Sequence, residues 1–136
     1  ARKNREHARL ECLRMVKGAL LLKEKETGNA VTDEQAVPVL RSEVRKRQDA
    51  MEIFRTHGKD AEAAASAEEI RVIEEFLPRQ LSAEDLEARA RAYLAEHPEV
   101  NNAGKLTGAL KKELGDAADG RLLNEIAKKV MAGGDR

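Results

Sequence analysis

Apolar residues recur along this chain in steps of three and four, the spacing of a helix with one buried face, rather than in the alternation of a half-buried strand. Six segments carry the pattern. The first predicts a helix over residues 5–26, with Leu10, Leu13, Val16, Leu20 and Leu21 on its stripe and Gly28 placed to stop it. Thr32 and Gln35 have the spacing of a capping box, so a second helix begins there. Its seam is Leu40, Val44, Met51 and Phe54, and the same step pattern places Arg47 on that stripe. Pro38 lies too deep for a first-turn proline if Thr32 is the cap. Either the first turn is kinked or the regular helix starts near Val37, and the reading adopted is a kink.

Gly58 closes the second segment, Asp60 is placed to cap a third, and Ala64, Ala67, Ile70, Ile73 and Leu77 carry it to Pro78, which halts it. Ser82 caps a fourth, bearing Leu86, Ala90, Tyr93 and Leu94 and ending before Pro98. Asn101 or Asn102 caps a fifth with Leu106, Leu110 and Leu114, stopped by Gly115. Asp119 caps a sixth with Leu122, Leu123, Ile126 and Val130, stopped by Gly133 and Gly134. The expected fold is therefore all-α, with about six helices. The joint at Leu77-Pro78-Arg79-Gln80-Leu81 divides an N-terminal helical part, residues 1–79, from a small C-terminal three-helix bundle, residues 80–136.

Composition narrows this further. The 136 residues are 41% hydrophobic and 37% charged but only 2% aromatic, so the core must be built from Leu, Ile, Val and Ala, as helix bundles are. A chain of this length buries enough surface to need no staples. Cys12 is the single cysteine, which excludes an internal disulfide and a cysteine-based zinc site and suits a reducing cytoplasm. The longest apolar run, residues 19–22, is far short of the roughly 20 residues a membrane span requires, and the basic first residues lack the apolar stretch of a secretory signal.

Twenty-five basic residues balance 25 acidic ones, so no global field draws in polyanions. The charge is nonetheless unevenly placed: residues 1–25 carry +5, residues 26–60 −1, residues 61–100 −6 and residues 101–136 +2. Basic ends flank an acidic middle, a polarity shared by many solvated helical surfaces.

Few side chains invite chemistry. Gly104-Lys105-Leu106-Thr107 lacks the earlier glycine and the Ser or Thr after lysine that a phosphate loop needs, and no strand precedes it. Gly104 and Gly108, one turn apart, are read as a place where a neighbouring helix approaches closely. His7, His57 and His97 show no metal-ligand spacing, and Cys12 has no base beside it, since His7 falls on another helical face; a buried, inert thiol is expected. No general acid or base, no metal and no cofactor is assigned. Arg47, on an apolar seam, needs a carboxylate partner, for which Glu43 one turn earlier and Glu69 in the third segment are the candidates.

Four groups of residues resemble the landmarks of one known family, in that family's order. They are Arg9-Leu10 with Leu13-Arg14, the run from Glu43 to Asp49, Glu69 leading to Phe76-Leu77-Pro78-Arg79-Gln80-Leu81-Ser82, and Gly104-Lys105 with the run from Ala118 to Asn124. The family is the YqeY family, whose module also forms the tail of the GatB subunit of tRNA-dependent amidotransferases. The resemblance implies an all-helical protein with a larger N-terminal and a smaller C-terminal helical part. Kinship with the GatB tail, which engages tRNA while the kinase and amidase chemistry lies elsewhere in that enzyme, is implied as well. Two departures are Pro38, inside a helix that relatives usually run through, and the start of the chain close to Arg9-Leu10, from which the resemblance implies that part or all of a preceding family helix is either absent or trimmed from this sequence.

The expected function is a non-enzymatic, cytoplasmic module that binds tRNA or associates with a glutamine-dependent tRNA amidotransferase, a carbon–nitrogen ligase with glutamine as amido donor, or with another translation-related protein. Lys105, Lys111, Lys112, Arg121 and Lys128 are the candidate tRNA contacts, the first and the fourth because anions are favoured at helix N-termini. The competing expectation is a protein-interaction adaptor that binds no nucleic acid, which zero net charge favours. A free-standing amidotransferase lacks any nucleophile, metal cluster or nucleotide loop to support it.

Overall fold

The computed structural model describes residues 2–134, among which six α-helices and no strand occur. The chain divides into two compact units, Ala1–Leu77 and Pro78–Arg136. The first holds α1 (Arg2–Thr27), α2 (Asp33–Thr56) and α3 (Asp60–Glu74); the second holds α4 (Ala83–Glu96), α5 (Ala103–Leu114) and α6 (Gly120–Lys129).

In the first unit, α1 stops at Gly28, whose φ of 77° suits a residue without Cβ and whose N–H closes the last turn on the Glu24 carbonyl at 2.8 Å. The capping box at α2 is complete. The Gln35 N–H donates to Thr32 Oγ1 at 3.1 Å, and the Thr32 N–H donates to Gln35 Oε1 at 3.1 Å. The helix then runs from Asp33 through Pro38 as one element. Proline supplies no N–H to the Glu34 carbonyl, and that residue is exposed, so water can take the bond.

The core of this unit joins Cys12 and Val16 of α1, Leu40 and Val44 of α2, and Ile70, Val72 and Ile73 of α3, with Leu13, Leu20, Met51 and Leu77 at its margin. Two predicted stripes shift. On α1 the buried line passes through Cys12 and Val16, leaving Leu10 and Leu21 facing solvent. On α3 it passes through Ala63 and Ser66 one residue before the expected Ala64 and Ala67, which are exposed. A run of alanines fits either register, and the small Ala63 and Ser66 are the ones that lie buried where α2 and α3 meet as a tight hairpin. Asp60 is the first helical residue rather than the cap; Lys59 occupies the cap without a side-chain bond. The helix ends at Glu74, and a turn carries the chain to Pro78.

In the second unit every expected cap forms through its side chain: Ser82 accepts from the Asp85 N–H at 3.1 Å, Asn102 from Lys105 at 2.8 Å and Asp119 from Arg121 at 3.0 Å. Leu86 and Ala90, Leu106 and Leu110, and Leu123, Ile126 and Ala127 meet in one core closed by Ala118 and Val130. The Leu81 N–H donates to the Ala117 carbonyl at 2.8 Å and Gln80 Nε2 to the Asp116 carbonyl at 2.8 Å, which ties the start of the unit to the turn after α5.

Gly104 and Gly108 do not serve a helix contact. Both are exposed, and a Cβ added at Gly108 would meet nothing within 4 Å. Gly108 has no positive φ, so the position only weakens α5. Gly108→Ala is expected to stabilise the protein by about 0.5–1 kcal/mol, read as a shift of the urea midpoint. A drop in stability would reinstate the close approach of a neighbouring helix.

Candidate functional site

Arg47 is the most constrained charge in the first unit. The antiparallel α2–α3 hairpin brings Glu69 opposite it, and helical spacing places Glu43 one turn before it. Nη1 donates to Glu43 Oε1 at 2.9 Å and to the Glu43 carbonyl at 3.0 Å, and Nε donates to Glu69 Oε1 at 3.0 Å. Lys46 adds a bond from Nζ to Glu43 Oε2 at 3.2 Å. The Arg47 side chain is 8% exposed and that of Glu43 9%, a buried pair joined by half-buried Glu69 and closed by a surface lysine.

Its electrostatics follow from the geometry. Burial by itself raises the Glu43 carboxyl pKa, but the hydrogen bonds from Arg47 and Lys46 outweigh it and hold the group below its ordinary range. For Arg47 burial works against the charge, and the bonds to Glu43 and Glu69 more than restore it. With both Glu43 oxygens occupied, the carboxylate is not placed to take a proton from a substrate. The triad therefore fixes the helix hairpin.

Cys12 lies against this triad, its thiol 3.7 Å from the Glu69 carbonyl, and burial pushes its pKa up against the opposing pull of Arg47. A buried protonated thiol is a poor nucleophile, and His7 stands exposed. His57 and His97 sit at the ends of α2 and α4, each with Nδ1 on the carbonyl four residues back, at 2.9 Å to Ile53 and 3.1 Å to Tyr93. The His97 ring stacks on Tyr93 with centroids 4.0 Å apart. Among the described residues no group of three or more His, Cys, Asp or Glu is arranged to hold a metal, and no helix is long and apolar enough to cross a membrane.

The basic candidates of the second unit all lie on exposed surface but do not have equal freedom. Lys105 and Lys112 are seven residues apart on one face of α5, and Arg121 and Lys128 are seven apart on one face of α6. A bond from Thr107 Oγ1 to Asn124 Oδ1 at 3.4 Å links the two helices. Lys111 is already engaged: its ammonium donates to the carbonyls of Gly115 at 3.0 Å and Ala118 at 2.6 Å, closing the C-terminal end of α5. It belongs to the turn rather than to a contact surface. Each helix N-terminus has one N–H already taken, that of Arg121 by the Asp119 carboxylate and that of Lys105 by the Asn102 amide oxygen.

Two tertiary ion pairs have no local signature in the sequence. Arg9 binds Glu75 through two bonds of 2.8 and 3.0 Å, which pins α1 to the end of α3. Lys129 binds Glu87 at 2.9 Å, joining α6 to α4 and sharing that carboxylate with Arg91. Partners 66 and 42 residues apart could not have been matched by spacing.

Comparison with curated proteins gives no match. The three-helix units, the caps and the Glu43–Arg47–Glu69 triad belong to a sequence that matches a family described as Yqey-like protein over residues 1–131. That match takes in both compact units and nearly the whole chain, and the protein belongs to the YqeY-like family.

Proposed function

We propose that the protein is a non-catalytic tRNA-binding module associated with glutamine-dependent tRNA amidation, and that its C-terminal unit makes the contact. The supporting observation is the pair of two-turn spacings, Lys105 with Lys112 and Arg121 with Lys128, on adjacent helices. Side chains seven residues apart stand about 10 Å from each other along a helix, far enough for each to meet a separate backbone phosphate. The resemblance of the chain to the GatB tail supplies the choice of tRNA, and the engaged carboxylates and buried thiol of the first unit agree with an absence of catalysis.

Contact with about four phosphates makes the logarithm of affinity fall with the logarithm of salt at a slope near −3, roughly a hundredfold between 50 and 200 mM. Titrating labelled tRNA across salt concentrations measures that slope. Replacing Lys105, Lys112, Arg121 and Lys128 together by Gln is expected to flatten it by about one for each phosphate no longer neutralised, whereas Lys111→Gln leaves it unchanged. Absence of tRNA binding at low salt ends the proposal.

A protein-interaction adaptor is the second reading. It is favoured by the balance of 25 basic and 25 acidic residues and by Glu125, which stands between Arg121 and Lys128 on α6 and interrupts the positive face. A protein partner captured without any salt-dependent tRNA affinity is the outcome that selects it.

A further inference from the structure

We propose that Met15 is an oxidation site at which a hydroperoxide converts the thioether to a sulfoxide, and that the new oxygen takes a hydrogen bond from Arg47 that fastens α1 to the α2–α3 hairpin. The Met15 sulfur already touches the most constrained charge of the first unit. Arg47 Nε and Nη1 donate to oxygens of Glu69 and Glu43, whereas Nη2 has, among the described residues, the Met15 thioether as its acceptor, with Sδ at 3.8 Å. A thioether is a weak acceptor, and a guanidinium side chain that is 8% exposed has little water to turn to instead. One donor of a buried cation is therefore poorly satisfied.

Exposure separates this residue from the other sulfur-bearing ones. The chain has three methionines and one cysteine. Met15 is 57% exposed, while Cys12, one turn before it on α1, is buried at 1%. Met51 and Met131 are partly buried and pack against the cores of the first and second units. Susceptibility to oxidation follows access, so Met15 is the side chain that a small oxidant meets first.

The step is a two-electron oxygen transfer. A lone pair of Sδ attacks one oxygen of hydrogen peroxide; the S–O bond forms as the O–O bond breaks, the proton of the transferred oxygen passes to the departing one, and water leaves. Sulfur is oxidised and the peroxide reduced. Distance then gives the consequence. At 3.8 Å, Sδ stands about 0.9 Å beyond the usual N–H···O separation of about 2.9 Å. An oxygen on that sulfur, set to one side of the line joining the two atoms, closes the gap with neither heavy atom displaced. The S–O bond concentrates negative charge on oxygen, so a weak bond from the guanidinium becomes a strong charge-assisted one. Methionine oxidation disrupts a core by placing a polar group inside it, but Met15 has solvent on one side and a cation on the other, so the sign is reversed. Methionine sulfoxide reductases restore the thioether, which makes the fastening reversible.

Graded hydrogen peroxide on the full chain, followed by peptide mass mapping, is expected to add one oxygen to the peptide holding Met15 several-fold faster than to those holding Met51 and Met131. At the dose that oxidises Met15 alone, the folding equilibrium constant from urea denaturation is expected to rise about tenfold, as an added hydrogen bond to a charged group does, whereas Met15→Leu treated in the same way gains nothing. Met15→Gln carries a carboxamide oxygen at similar reach and is expected to fold about tenfold more favourably than Met15→Leu with no oxidant present. With Glu43→Leu and Arg47→Leu added to each chain that difference should vanish, because no guanidinium remains. Equal oxidation rates at Met51 or Met131, a Met15 sulfoxide no more stable than the thioether, Gln no better than Leu at position 15, or a Gln advantage that survives the loss of Arg47 overturns the proposal. None of these readouts involves RNA, so they stand apart from the tRNA titration.

Discussion

Glu43→Leu is expected to destabilise the protein by about 3 kcal/mol, the lower end of what breaking a buried ion pair costs, because Arg47 keeps its bond to Glu69. Arg47→Met should cost a similar amount for the converse reason: it leaves the Glu43 carboxylate buried with Lys46 as its remaining partner. Changing both together, Glu43→Leu with Arg47→Met, should cost far less than the two single effects added, since an apolar pair of similar volume removes both charges from the interior. Urea denaturation of the four proteins gives this cycle. If the effects add, the two side chains are not coupled, and the assignment of the triad as the clamp of the α2–α3 hairpin fails. The same carboxylate predicts a dependence on pH. Its folded pKa lies below the unfolded value, so the unfolded chain takes up the proton first as the solution is acidified. The stabilisation is therefore complete above the unfolded glutamate value of about 4.3 and is lost as pH falls from there through the folded pKa. Glu43→Gln should remove that part of the acid dependence while leaving the response above about pH 5 unchanged.

Half of this triad is legible in the sequence. The steps from Leu40 to Val44, Arg47 and Met51 put the arginine on a buried stripe, and one helical turn names Glu43. Glu69 can be named only as a candidate, because the sequence does not fix the register of α3 against α2. That register is also where the pattern misleads. Five of residues 61–67 are alanine, and a helix built from them can turn either side inward at little difference in apolar area. The Ala63 and Ser66 face is the one that lies buried in the hairpin. On α1 the error has the opposite origin. The helix is apolar on two sides, and leucine at positions 10 and 21 draws the predicted stripe toward solvent, while the buried line runs through Cys12. Caps fare better because they are local. Thr32, Ser82, Asn102 and Asp119 each bond a backbone N–H two or three residues ahead, and nothing distant competes with them. Among the lysines, local spacing gives no warning that Lys111 closes its own helix, since its acceptors are carbonyls oriented by the turn around Gly115.

The second unit should be the more fragile under core substitution. It has fewer than sixty residues, and at roughly 0.05–0.15 kcal/mol per residue its folding free energy is only several kcal/mol. Leu123 has no exposed surface and lies in the same core as Leu86, Leu106 and Leu110. Truncating such a leucine costs about 2–5 kcal/mol, a transfer loss plus the cavity left behind, which approaches the whole stability of the unit. The ten-residue α6 is also too short to persist by itself, so its helicity depends on the burial that Leu123 provides. Leu123→Ala is therefore expected to collapse the hydrogen-exchange protection of amides in α4, α5 and α6, with α6 losing it most completely. Ile126→Val removes one methylene from the same core and should cost only about 0.5–1.5 kcal/mol, leaving protection measurable. Half-buried Leu122 serves as the neighbouring control and should be milder than Leu123 when changed to alanine. If Leu123→Ala costs under about 1 kcal/mol, the three helices close around the missing side chain, and α6 is held by its ion pair from Lys129 to Glu87 and its Asp119 cap more than by its apolar face.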